Sequence, residues 1–112
     1  MNVSKDLTAA SATPLILGIL VEADSYGYSI IKRVKELSGN ELVWTEGMLY
    51  PVLHRLEQQQ LITSYWKNSE NGRQRKYYTI NEAGLRELET LKQQWQMIHS
   101  ALSQTWAPTN QE

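Results

Sequence analysis

The polar side chains best suited to bind a partner lie in a short helical segment, TEGMLYPVLHRLEQQQLI, which begins at Thr45. Its leucines and valine recur at three- and four-residue spacing, which predicts one buried face. The opposite face is predicted to comprise Thr45, Gly47, Met48, Tyr50, Pro51, His54 and Arg55. Polar tips and a small glycine suit the major groove of DNA, where the N-terminal end of a helix reaches phosphates and base edges.

Pro51 is unusual in such a helix, because it has no backbone N–H and crowds the preceding turn. The carbonyl of Gly47 loses its usual partner and is expected to face water or a ligand. A bent helix is tolerable where its outer surface is used for binding, although prolines also kink helices that have no such role. Glu46 argues mildly against DNA contact, but an acid in the first turn also suits the helix dipole.

A basic hairpin is predicted after this helix. The runs LITSYWK and RKYYTI are rich in branched and aromatic residues, which is typical of strands, and Asn71-Gly72 between them favours a tight turn. Its cations could clamp DNA phosphates, or they could deter pairing between exposed strand edges. These cations are Lys67, Arg73, Arg75 and Lys76. Strand alternation places Arg73 and Arg75 on one face and Lys76 on the other.

The last predicted helix begins after the capping residue Asn81 and runs to about Trp106. It carries a narrow apolar seam of coiled-coil spacing, formed by Leu88, Leu91, Trp95, Ile98 and Leu102. The helix would be about 39 Å long, more than a small core can cover. The seam therefore predicts a partner helix, most simply from a second copy. Such a homodimer would place two DNA-reading helices about 34–36 Å apart.

The remaining elements are predicted from capping signals. Thr13-Pro14 is typical of a helix start, and the helix is expected over about 14–23. Ser25 is expected to cap a second helix that ends at the glycine of SGN, residues 38–40. Residues 42–44 are expected to form a very short extended piece before Thr45 caps the third helix.

The element order indicates a mainly α fold of the α+β class, a winged helix-turn-helix with a long C-terminal dimerisation helix. We divide the chain into a DNA-binding domain over 1–80, the dimerisation helix over 81–106 and a flexible tail over 107–112. A small α+β domain of this kind without a nucleic-acid role is the alternative, since fold alone does not determine function.

Composition excludes several other classes. The chain has 112 residues, no cysteine and two histidines on different predicted elements, so neither a disulfide nor a metal site is expected. No set of residues for nucleophilic or acid-base catalysis and no cofactor-binding loop is present, so we expect no enzyme and no cofactor. No segment approaches the length of a membrane span, and a cytoplasmic location is expected. Residues 25–80 carry a net charge of +3 between acidic ends, which favours an anionic partner.

Four segments together resemble the PadR-like transcriptional regulators: YGYSIIKRV, GMLYPVLHRLE, LITSYW and NGRQRKYYTINEAG. The resemblance covers roughly residues 13–106, and the compact C-terminal helix is similar to that of the lactococcal multidrug-binding regulator. It implies a dimeric repressor whose third helix, with Tyr50, enters the major groove of a double-stranded operator. It also implies that the hairpin cations contact the DNA backbone.

Trp95 has two interpretations. A tryptophan in such a seam usually serves packing, but two facing tryptophans across a dimer axis would also form a slot for a planar aromatic molecule. The resemblance places Trp95, with His99 one turn later, at the effector site of the multidrug regulator. A dimeric winged helix that docks a protein instead of DNA is the alternative function.

Overall fold

A computed structural model describes residues 1–108, which form four helices and a small three-stranded antiparallel sheet of order β1-β3-β2. The elements are α1 (Lys5–Glu22), β1 (Ser25–Tyr26), α2 (Gly27–Leu37), α3 (Glu46–Gln58), β2 (Ile62–Asn68), β3 (Gln74–Ile80) and α4 (Glu82–Trp106). The predicted winged-helix order is confirmed. Residues 109–112, most of the predicted tail, lie outside the described residues.

The predicted start of α1 is wrong. The helix begins nine residues before Pro14, at Lys5, where the Ser4 side chain accepts a hydrogen bond from the Leu7 N–H. Pro14 lies inside the helix. Alanines upstream of it are strong helix formers, and we infer that they outweigh the single hydrogen bond that the proline removes.

A further prediction between α1 and α3 is wrong. Ser25 does not cap α2. It lies in β1, where it pairs with Tyr78 of β3, and Tyr26 occupies the capping position before the helix. Residues 42–44 belong to no helix or strand, and Trp44 is buried in the core, with only 5% of its surface exposed. The end of α2 is confirmed, since Gly39 there has a φ of 60°.

The core lies where α1, α2 and α3 meet the inner face of the sheet. Its fully buried side chains include Ile16, Leu17, Ile30, Val34, Leu49, Leu53, Leu56 and Ile62. Thr45 caps α3 as predicted, because its Oγ1 accepts a hydrogen bond from the Met48 N–H at 3.2 Å. The buried face of α3 thus fixes its opposite face toward solvent.

The hairpin has the predicted strands. In the β2–β3 register, Trp66 lies opposite Lys76 and Tyr65 lies opposite Tyr77. Strand alternation therefore gives an inner face with Trp66 and Lys76, and an outer face with Tyr65 and Tyr77.

The last helix begins as predicted, because the Asn81 side chain accepts a hydrogen bond from the Gly84 N–H at 2.8 Å. Its first half packs on the rest of the chain, and Leu88 is only 4% exposed. Leu88 therefore belongs to the core of its own subunit and has to be removed from the predicted dimer interface. No helix in residues 1–108 combines the length and the apolar character that crossing a membrane requires.

Candidate nucleic-acid interface

An open groove of about 640 Å³ lies between the N-terminal ends of α2 and α3 and the distal part of the hairpin. We call it the central groove. It is lined by Tyr26, Gly27, Tyr28, Glu46, Tyr50, Trp66, Arg73, Gln74, Arg75 and Lys76. The groove combines three cations with four aromatic side chains beside the N-terminal ends of two helices, and its cations suit a polyanion.

Tyr50 forms the α3 side of the central groove. Its side chain is 42% exposed, and its ring packs directly over the backbone of Gly27 at the start of α2. A β-carbon added to Gly27 would lie 2.7 Å from the Tyr50 Cζ atom, which is well inside contact distance. The absence of a side chain at Gly27 therefore lets the tyrosine lie where it does.

The other α3 residues in the predicted binding face do not share one environment. Thr45 lies at the exposed N-terminal end and uses its hydroxyl oxygen in the cap. Met48 is half-buried and packs against the core, contrary to its predicted place on the outer face. His54 and Arg55 are exposed but do not line the groove, and Arg55 donates a hydrogen bond to the Thr13 hydroxyl at 3.0 Å, toward α1.

The hairpin cations are divided between its two faces, as strand alternation predicts. On the inner face, the Lys76 ammonium lies 3.7 Å from a Glu57 carboxylate oxygen. On the outer face, the Arg75 guanidinium lies 4.4 Å from the centroid of the Tyr26 ring. Arg75 reaches the rim of the central groove from there, whereas Lys67 does not line it.

The outer face of the sheet carries its own aromatic cluster. The rings of Tyr65 and Tyr77 stack with centroids 5.8 Å apart, and the Lys67 ammonium lies 5.4 Å from the Tyr77 centroid. The Tyr65 hydroxyl donates a 2.6 Å hydrogen bond to Asp24, and this bond, with some loss of hydration, raises the pKa of Tyr65. The cluster anchors β2 and β3 to the segment before α2.

Three aromatic residues of the central groove, Tyr26, Tyr28 and Trp66, were not among the site residues predicted from the sequence. Trp66 is 65% exposed and Tyr28 is 62% exposed, although side chains of this size are usually more buried. The signal for Trp66 was present, because pairing β2 with β3 puts it opposite Lys76. Tyr28 had no such signal, since its position depends on how α2 packs against the sheet.

A second, apolar groove of about 480 Å³ lies beside Trp95. We call it the Trp95 groove, and it is lined by Met1, Val3, Leu7, Ser11, Leu15, Ser38, Glu41, Leu42 and Trp95. Trp95 is half-buried and meets α1 here, whereas His99 is exposed and lines no part of this groove. Of the two residues predicted to bind an effector, only Trp95 therefore lines this groove.

Residues 16–90 match the model of the transcriptional regulator PadR-like family. The chain belongs to this family. The match includes α2, α3 and the whole hairpin, and so it covers every element that lines the central groove. PadR-like proteins are transcriptional regulators rather than enzymes, and their winged helix is a DNA-binding fold.

Similar proteins agree with this assignment. The transcriptional regulator YqjI of Escherichia coli is 34% identical over 88 residues, which cover 79% of this PadR-like chain but only 41% of YqjI. A PadR family transcription regulator of Clostridium difficile is 38% identical, with a TM-score of 0.75 over 85% of this chain and 97% of that one. A PadR-like regulator of Bacillus cereus is 28% identical, with a TM-score of 0.82 over 94% of this chain and 100% of the other.

Proposed function

We propose that this PadR-like chain is a homodimeric repressor that reads a two-part DNA operator and is released by a planar aromatic effector at the dimer interface. The observation that carries the DNA-binding half is the central groove, in which three cations surround the exposed N-terminal end of α3. We place the DNA-binding domain over residues 1–80 and the dimerisation helix over 81–106. A repressor acts on the chromosome, so we place it in the cytoplasm.

For DNA binding, we infer that α3 enters the major groove and that Thr45 and Tyr50 lie nearest the base edges. Arg73, Arg75 and Lys76 hold the flanking phosphates from the hairpin side. Charged contacts of this kind supply affinity that does not depend on sequence, whereas the helix end supplies discrimination. His54, Arg55 and Lys67 are assigned to the edges of the footprint, because none of them lines the groove.

Replacing Arg75 and Lys76 together by alanine is expected to weaken binding to every duplex, about tenfold at physiological salt, and to flatten the salt dependence. For each phosphate that is no longer neutralised, the slope of log K against log salt falls by about 0.9. The measurement is fluorescence anisotropy with a labelled duplex at several salt concentrations. The double variant Arg86→Ala, Lys92→Ala removes the same charge from α4 and should keep the slope. An unchanged slope in the hairpin variant would remove the hairpin from the interface.

Dimerisation is supported by the second half of α4. Ile98 is 44% exposed and Leu102 is 39% exposed, and both continue the seam beyond the point where the helix packs on its own chain. An apolar stripe on a 25-residue helix is costly in water and is stabilised by a matching stripe. A second copy supplies that stripe by two-fold symmetry.

The effector proposal rests on the Trp95 groove. Its lining is predominantly apolar, with the indole at one side and Leu7 and Leu15 of α1 at the other. Apolar grooves with an aromatic wall bind planar aromatic molecules by stacking. A molecule that favours one arrangement of the two subunits would change the spacing of the two DNA-reading halves and thereby lower operator affinity.

Planar aromatic dyes are expected to quench the tryptophan fluorescence of the wild-type protein in a saturable manner. The protein has four tryptophans, so Trp95→Ala is the necessary comparison, and it should abolish the saturable component. Trp106→Ala removes a tryptophan outside the groove and should retain it. Saturable quenching that survives Trp95→Ala would leave Trp95 with a packing role alone.

A further inference from the structure

Among residues 1–108, Glu46 is the only acidic residue that lines the central groove. It opens α3 immediately after the capping residue Thr45, and its side chain is exposed. Within residues 1–108 it makes no ion pair, although Arg73, Arg75 and Lys76 line the same groove. A carboxylate left among phosphate-binding cations repels DNA phosphates, so it weakens non-specific binding.

A favourable interaction with the helix dipole explains an acid in this turn but does not require it to face the groove. Glu46 and Tyr50 are four residues apart on α3, so they lie on the same side of the helix. The N-terminal residues of a DNA-reading helix are the ones that meet base edges in the major groove. Glu46 is therefore placed to touch a base rather than the backbone.

An ionised carboxylate can only accept hydrogen bonds. In the major groove the donors are the amino groups of cytosine and adenine, and the adenine amino group stands beside the acceptor N7, which repels a carboxylate. Cytosine presents only its N4 amino donor in the major groove, because its ring acceptor N3 is held in the base pair. The carboxylate therefore selects cytosine.

We propose that Glu46 is a specificity-determining residue that accepts a hydrogen bond from the N4 amino group of one cytosine in each half-site. This inference rests on the proposed DNA-binding function and deepens it. The same carboxylate lowers affinity for duplexes that lack the cytosine, because it is then repelled by the phosphates and gains no hydrogen bond in return. Glu46 thus raises discrimination in two ways, by one attraction and one repulsion.

The test is selection of binding sites from a randomised duplex library by the wild-type protein and by Glu46→Gln, which keeps the shape and removes the charge. The wild type is expected to select a cytosine at one position of each half-site. Glutamine pairs with adenine through two hydrogen bonds, so the variant is expected to accept adenine there. Affinity for the cytosine-containing duplex should fall about tenfold, while affinity for a duplex of unrelated sequence rises.

The control is Glu89→Gln, an equal change of charge on the exposed surface of α4. It should alter neither the selected sequence nor the ratio of the two affinities. The inference would be overturned if the wild type and Glu46→Gln selected the same consensus and the variant bound the cytosine-containing and the unrelated duplex more tightly by the same factor. Glu46 would then act only by repelling phosphates. A lower melting temperature with an unchanged consensus would overturn it in favour of the helix dipole. A wild type that selects no sequence would instead overturn the proposed function itself.

Discussion

Replacement of Ile98 by aspartate is expected to convert the dimer into monomers and to lower operator affinity by about a hundredfold or more. The aspartate would have to be buried against the partner helix without a hydrogen-bonding group to compensate it. A dimer that holds two half-sites gains a factor of about 10² to 10⁴ over one subunit, and the monomer forfeits this gain. Light scattering measures the mass, and anisotropy with a two-half-site duplex measures the affinity.

Met97 provides the matched control, because it is the neighbouring residue on α4 and is 63% exposed, but it lies off the seam. Met97→Asp introduces the same charge and should leave both mass and affinity close to those of the wild type. Because Ile98 is 44% exposed in the single chain, its replacement should not unfold the subunit. A dimer that survives Ile98→Asp would place the subunit contact elsewhere and remove the basis of the proposed half-site spacing.

Elements defined by local signals were predicted well from the sequence. α3, the hairpin and α4 each combine a capping or turn residue with a clear apolar period, and the structure has them at nearly the predicted residues. The capping contacts of Thr45 and Asn81 are both present. In these segments local preference and tertiary packing favour the same structure.

The incorrect predictions concern segments whose structure is determined by tertiary contacts. The two-residue strand Ser25–Tyr26 exists only because β3 offers a free edge, which no local pattern indicates. The start of α1 was misplaced because Thr13-Pro14 is a valid start signal that an earlier cap at Ser4 overrides. Leu88 continues the seam in sequence, but its neighbours in space belong to its own subunit.

In the candidate site, too, residues with a local sequence signal were predicted and residues placed by tertiary packing were not. The hairpin cations and Tyr50 were predicted, because charge and helical spacing are visible in the sequence. Tyr28 was not, since its place in the groove follows from the packing of α2. The contact between Gly27 and Tyr50 was also invisible, because it joins residues 23 positions apart on two helices.

Because of that contact, Gly27→Ala is expected to cause a large loss of operator affinity. The new β-carbon would overlap the hydroxyl end of Tyr50, so the ring has to leave its position in the central groove. Tyr50 is partly exposed and can swing outward, so the subunit should remain folded. If Tyr50 contacts DNA as proposed, operator affinity should fall by about 2 kcal/mol, or thirtyfold, within the range measured for directly coupled residues.

Gly18→Ala is the matched control, because a β-carbon there would meet nothing within 4 Å in α1. It should leave DNA affinity unchanged and stabilise the helix by up to about 1 kcal/mol. Melting temperatures of both variants separate a folding defect from a binding defect. A large loss of stability in Gly27→Ala would mean that the backbone itself had moved, and the binding result would then not concern Tyr50.

A double-mutant cycle decides whether Gly27 acts through Tyr50. Tyr50→Ala removes the ring that the new β-carbon would displace, so Gly27→Ala should cost almost nothing in that background. Two independent roles would instead make the losses in the double variant add. Additive losses would therefore contradict the positioning role, even if each single variant binds poorly. A strongly non-additive result would mean that α2 sets the orientation of a DNA-reading side chain on α3 by leaving room for it.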